Sequence, residues 1–142
     1  MKTFFSVIGP IIFLSLWIWE GIPMTAVQDI LRSLGITRCY KGFKHTEYAI
    51  CLAIQDESRL EAITKEIYME TAAHFECNWT AVERNIRTAV SRAWSVNPDL
   101  LCQMAGYPLE SEPTSSQFIE IISSYTIRSQ QLQAQLQPLG LP

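Results

Sequence analysis

Between Ile67 and Trp94 the chain reads IYMETAAHFECNWTAVERNIRTAVSRAW, and no other stretch narrows the choice of fold so far. It contains two helical patterns separated by Glu76, Cys77, Asn78 and Trp79. The first helix is expected to run to about Phe75 and the second to begin at Thr80. In the second, Val82, Ile86, Ala89, Val90 and Ala93 form an apolar stripe. Arg84, Arg87, Thr88 and Ser91 recur at i, i+3, i+4 and i+7 and so share the opposite face. Thr80-x-x-Glu83 has the spacing of a capping box, in which each side chain satisfies an amide at the helix start. Two helices across a tight turn, with arginines on the outside of the second, form the pattern of a helix-turn-helix.

The remaining segments supply helices to pack against this pair. Ala26, Val27, Ile30, Leu31 and Leu34 follow helical spacing after Thr25, and Gly35 is placed to end that helix. Ile36 to Lys44 reads as a loop or short extended piece around Gly42. A second helix is expected over about His45 to Gln55, with Tyr48, Ala49, Leu52 and Ala53 inward. Ser58-x-x-Glu61 has capping-box spacing and is expected to open a third helix with Leu60, Ile63, Ile67 and Tyr68 as core. Asn97-Pro98 reads as a cap followed by proline at the first helical position, and Gly106 as that helix's end. Thr114-x-x-Gln117 is expected to cap a last helix with Phe118, Ile121, Ile122 and Tyr125 in its stripe. No strand signal and no internal repeat appear. The expected fold is therefore all-α, a compact bundle of about six helices over residues 25–128, with a Gln-rich tail over 129–142 that frays.

Residues 1–24 differ from everything after them. A charge-free run, FFSVIGPIIFLSLWIW, lies between Lys2 and Glu20. It fits a secretory signal, a short membrane anchor through residues 4–19, or the upstream part of a mis-set start. Arg32 and Arg38 follow the run closely, which tilts an anchored form towards a cytosolic domain.

Charge decides which partners remain open. The 142-residue chain carries a net charge of −3, so nothing global draws it to nucleic acid. The helix after Thr80 is a local exception. Arg84, Arg87 and Arg92 against Glu83 leave it at about +2, and the planar arginine fork bonds a guanine edge or a phosphate with two hydrogen bonds. The alternative for these side chains is an ordinary solvated face. Glu83 either closes the capping box with Thr80 or accepts from a cytosine amine. Trp79 and Trp94, at the two ends of the helix, are expected to pack into the core rather than stack on bases.

Catalysis finds little support. His45-x-Glu47 has the H-x-E spacing of zinc deaminases, but the P-C-x-x-C partner is missing. No glycine-rich phosphate loop or G-x-S-x-G occurs. Cys39, Cys51, Cys77 and Cys102 match no zinc template and are expected as free thiols. Neither enzyme activity, metal nor cofactor is expected.

From about Ile30 to Tyr125 the chain resembles the C-terminal DNA-binding effector domain of stage zero sporulation protein A. That protein is the response regulator that commits endospore-forming bacteria to sporulation. The matching words are Leu34-Gly35, Lys41-Gly42-Phe43, Ile63-Thr64-Lys65 with Tyr68, Val82-Glu83-Arg84 with Ile86-Arg87, Ala93-Trp94, Gly106-Tyr107, and Pro113-Thr114-x-Ser116-x-Phe118-Ile119. The resemblance implies six helices with a helix-turn-helix that binds an AT-flanked element with a TGTCGAA-like core, usually as tandem dimers. It places Glu83, Arg84 and Arg87 where the family's recognition helix meets double-stranded DNA. Thr88, Ser91 and Arg92 on the same helix are further candidates from its outer-face pattern and charge, with Ser91 and Arg92 expected at the DNA backbone.

Four positions depart from that pattern. Ala81 stands where the family often has a basic residue, Thr88 where it has histidine, and Met69 and Thr71 where it has Pro and Ile. The family's receiver domain, with its phosphorylated aspartate and metal, has no counterpart in this sequence, so its control is not expected to carry over. The expected function is that of a cytoplasmic, sequence-specific transcription regulator. The alternative is an interaction protein of the same fold, binding RNA polymerase or a homologous regulator, free or held at the membrane, with weak DNA binding.

Overall fold

A computed structural model describes residues 24–136, and the apolar run of residues 4–19 and residues 137–142 lie outside them. The described residues are all-α, with no strand among them. Six α-helices follow in chain order: α1 (Met24–Ser33), α2 (Phe43–Gln55), α3 (Met69–Phe75), α4 (Trp79–Val96), α5 (Pro98–Ala105) and α6 (Ser115–Leu136). Between α2 and α3 run a 3-10 stretch, Glu57–Ala62, and a π-type turn, Thr64–Tyr68, that leads directly into α3.

The periodic apolar residues became the core. Val27, Leu31, Leu34, Ala49, Ile50, Ile67, Val82, Ile86, Ala89, Val90, Ala93, Phe118 and Ile122 are completely buried. The broadest packing is between α2 and α6. α4 is wedged among α2, α3, α5 and α6, so its whole apolar stripe is covered. Burial of a side chain of that size stabilises by about 1.5–3 kcal/mol, so a covered stripe of this kind fixes the rotation of α4 about its axis. The face carrying Arg84 and Arg87 is therefore forced outward.

Several stop and start signals act as their chemistry predicts. Gly35 adopts φ +84°, and Ile36 N–H closes back on Leu31 O at 2.9 Å, which ends α1. Asn97 Oδ1 accepts from Leu100 N–H at 3.1 Å, and Pro98 opens α5. Thr114 and Gln117 form a reciprocal box: Thr114 N–H donates to Gln117 Oε1 at 2.9 Å and Gln117 N–H to Thr114 Oγ1 at 3.1 Å.

Two expected boxes do not form. Ser58 is not a cap; Asp56 is, accepting from Ser58 N–H at 3.0 Å and Ser58 Oγ at 2.6 Å. These bonds hold the Asp56 carboxyl below the usual carboxylate range. The segment that follows is 3-10 and π rather than one regular α-helix. Arg59 bridges it by donating to Glu66 O at 2.8 Å. α4 begins at Trp79, one residue before Thr80, and its N-cap Asn78 makes no side-chain capping bond. Glu83 is engaged elsewhere. Trp94 packs against the core as expected, but Trp79 is 41% exposed and does not. At the other end, α6 runs on past Arg128 to Leu136. No helix among the described residues is long and apolar enough to cross a membrane.

Candidate nucleic-acid interface

α3, the turn Glu76–Asn78 and α4 make the helix-turn-helix. The turn is set by Glu76, which takes the left-handed conformation (φ 55°, ψ 52°) with no glycine to ease it. Cys77 N–H closes on Ala72 O at 2.9 Å. No side chain caps the first turn of α4, and that turn carries no acidic residue. Its amide dipoles are thus open to an anion.

The predicted site residues divide into three groups. Arg84, Arg87 and Thr88 stand on the exposed face. Among the described residues the Arg84 guanidinium meets no acceptor. Arg87 Nη1 lies 3.4 Å from Glu83 Oε1, with side chains 60% and 27% exposed respectively. An exposed i,i+4 pair of this kind contributes at most about 1 kcal/mol, so it orients the guanidinium without locking it away from another anion. Thr88 Oγ1 donates to Arg84 O at 3.0 Å, which occupies its hydroxyl proton on the helix backbone.

Glu83 is drawn inward. Its Oε2 accepts from Ser115 Oγ at 3.1 Å, and Ser115 is buried at the start of α6. The same cluster includes Tyr68, whose phenol is pushed up to about 12 by burial, then by the Glu83 charge, against a hydrogen bond with Ser115 that lowers it. Glu83 therefore ties α4 to α6 and aims Arg87.

Ser91 and Arg92 are turned to neighbouring loops. Ser91 Oγ donates to Glu112 Oε2 at 2.6 Å, which brings a carboxylate to the C-terminal half of α4. Arg92 Nε donates to Gly35 O at 3.3 Å, and its guanidinium carbon sits 5.8 Å from the centre of the Tyr40 ring. Reading the sequence alone did not give the 37–42 loop a part in the site. It packs beside α4 and with it forms a cleft of about 400 Å³, lined by Thr37, Cys39, Tyr40, Lys41, Gly42, Asn85 and Thr88. Lys41 in this loop is exposed. The seat is close: a Cβ on Gly42 would lie 2.5 Å from Asn85 O. Asn85 also faces α2, its amide Nδ2 donating to His45 Nδ1 at 3.1 Å.

His45 and Glu47, the one spacing that hinted at metal chemistry, do not converge. Glu47 accepts from Gln28 Nε2 at 2.7 Å while His45 faces Asn85 and, at 4.9 Å, Phe75. No group of His, Cys, Asp or Glu among the described residues is arranged to hold a metal ion. The four cysteines are free thiols.

With this geometry, the comparison with known families is decisive. Residues 27–126 match the family model described as Sporulation initiation factor Spo0A C terminal. The chain belongs to that family. The match runs from within α1 to the middle of α6, the helix-turn-helix included, and makes this a DNA-binding effector domain of the sporulation-initiation type.

Proposed function

We propose that the chain is a sequence-specific regulator of transcription that lays α4 in the major groove of double-stranded DNA. The observation that carries this reading is the exposure of Arg84 and Arg87 on the outer face of a helix whose opposite face is wholly buried. A helix held on one side by the core is a rigid probe, and bidentate arginine contacts to guanine are worth about 1–3 kcal/mol of discrimination each. Arg84 and Arg87 read bases, and Thr88 supplies an apolar contact of the kind that suits a thymine methyl. Glu83 positions Arg87. Ser91 and Arg92 hold the loops on either side of α4. Such a role places the domain in the cytoplasm.

Fluorescence-anisotropy titration against a duplex with the sporulation-type element, at several salt concentrations, tests the reading. The double variant Arg84→Ala with Arg87→Ala should lose affinity for the element and most of its preference over a scrambled duplex. Wild-type affinity in that variant would refute the assignment.

A further inference from the structure

The structure assigns to the 37–42 loop a part in binding: we infer that it is a second arm of the interface, with Lys41 contacting the DNA phosphate backbone beside the groove that α4 enters. This inference rests on the reading of α4 as the groove-bound helix. Three features carry it.

First, the loop is seated directly on α4. Gly42 has no room for a Cβ against Asn85 O, so the loop backbone touches the helix backbone at the residue between Arg84 and Ile86, two before Arg87. Second, the loop is held there from the other side. Arg92 bonds Gly35 O and lies against the Tyr40 ring, so it bridges the residues before and within the loop. Two internal turns, Tyr40 N–H to Thr37 O at 2.9 Å and Phe43 N–H to Tyr40 O at 3.0 Å, stiffen the segment between these anchors. Third, the charge is in the right place. Lys41 is exposed and lines the same cleft as Thr88, a residue of the outward face of α4. No hydrogen bond or ion pair engages its ammonium among the described residues.

A duplex groove is flanked by phosphates on both sides, and a cation beside a helix lying in it adds an attraction that neutral donors at the helix N-terminus do not supply. A lysine ammonium serves as a point charge for a phosphate without the planar demands of base readout. At this flank of α4, Arg92 is committed to Gly35 and Tyr40, which leaves Lys41 as the available cation. Arg92 is then a positioning residue that acts through the loop.

Salt dependence of DNA binding by the full chain tests the inference. Each phosphate contact contributes about 0.9 to the slope of log affinity against log salt. Lys41→Gln should lower the slope by about one contact, so that its deficit against wild type shrinks about 3.5-fold between roughly 50 and 200 mM salt. The loss should be equal on the element and on a scrambled duplex, and Lys41→Arg should restore the slope. In a double-mutant cycle, Arg92→Ala combined with Lys41→Gln should be no weaker than the poorer single variant, because both remove the same contact. Far-ultraviolet circular dichroism and melting of each variant verify the fold.

A Lys41→Gln slope equal to wild type overturns the inference and leaves the α4 reading intact. Additive losses in the cycle overturn the positioning role of Arg92. A wild-type chain with no salt-sensitive DNA binding overturns both the inference and the reading on which it rests.

Discussion

Replacing Gly42 by alanine tests how closely the 37–42 loop is bound to α4. Gly42 has φ −77° and ψ −5°, which alanine adopts without strain. At such a position the substitution ordinarily stabilises by about 0.4–1 kcal/mol, because it removes freedom from the unfolded chain. Here the new Cβ would sit 2.5 Å from Asn85 O and 3.0 Å from Asn85 C, both atoms of helix backbone that no rotamer change can move. Forcing extra atoms into a packed contact typically costs about 1–3 kcal/mol, so the clash outweighs the entropy gain and the net effect is a loss of about 1–2 kcal/mol. For a domain of this size that lowers the melting temperature by about 4 °C or more.

Gly106→Ala supplies the contrast. Nothing lies within 4 Å of its Cβ position, but φ is +84°, so it too loses stability, through backbone strain alone. Only Gly42→Ala pushes the loop away from α4, so only it should weaken DNA binding measured well below both melting temperatures. A Gly42→Ala protein that melts at or above the wild-type temperature would show that the loop is not seated on the Asn85 carbonyl.

Further outcomes follow from single groups. Thr71 Oγ1 is buried without a partner among the described residues, whereas Thr126 Oγ1, equally buried, donates to Ile122 O at 2.7 Å. An unpaired buried hydroxyl costs about 1–3 kcal/mol, so Thr71→Val should raise the urea midpoint while Thr126→Val should not. Burial holds His45 below its ordinary value of 6.5, so the folded state favours the neutral ring; stability is whole above pH 6.5 and falls as pH drops through it. Melting between pH 7.5 and 5 should show this loss, and His45→Gln should reduce it. Tyr68 is raised from 10.0 to about 12, so its contribution is whole below pH 10 and lost as pH rises towards 12. Glu83→Gln removes a charge that raises it, and tyrosinate absorbance should then show Tyr68 ionising at lower pH.

What could be read from the sequence was what depends on near neighbours in the chain. The stripe of α4 was legible because burial on one side imposes a 3.6-residue period, and the caps at Asn97 and Thr114 because their partners lie three residues away. The same local words misled at Ser58 and Thr80. A Ser/Thr with Glu three residues later marked each start only to within a residue or two, and Asp56 and Asn78, just upstream, took the cap positions. Trp79 was placed in the core because both helix ends were taken as covered, but the N-terminal end is open. The 37–42 loop was the larger omission. Its place beside α4 depends on Gly42 meeting Asn85 and on Gly35 meeting Arg92, contacts between residues far apart in the chain that no local pattern encodes.

These long-range contacts also explain how an acidic chain can present a basic probe. α4 carries three arginines, but they do not act alike. Arg92 is used inside the protein, where it fastens the loop. Arg87 is partly balanced by Glu83, which is in turn held by Ser115 on α6. Arg84 is left with its full charge. At the far end of the helix Glu112 stands against Ser91 and repels a phosphate there. The attractive surface is therefore confined to the N-terminal half of α4 and the loop beside it. A small footprint with few cations gives weak non-specific attraction, since that term grows with the number of phosphates neutralised. On the proposed reading, discrimination depends on the geometry of two arginines, and support of α4 by five neighbouring segments suits that demand. The acidic balance elsewhere suits the proposed division, because a net negative chain weakens non-specific attraction to phosphate and leaves the proposed base contacts of the arginines to carry binding.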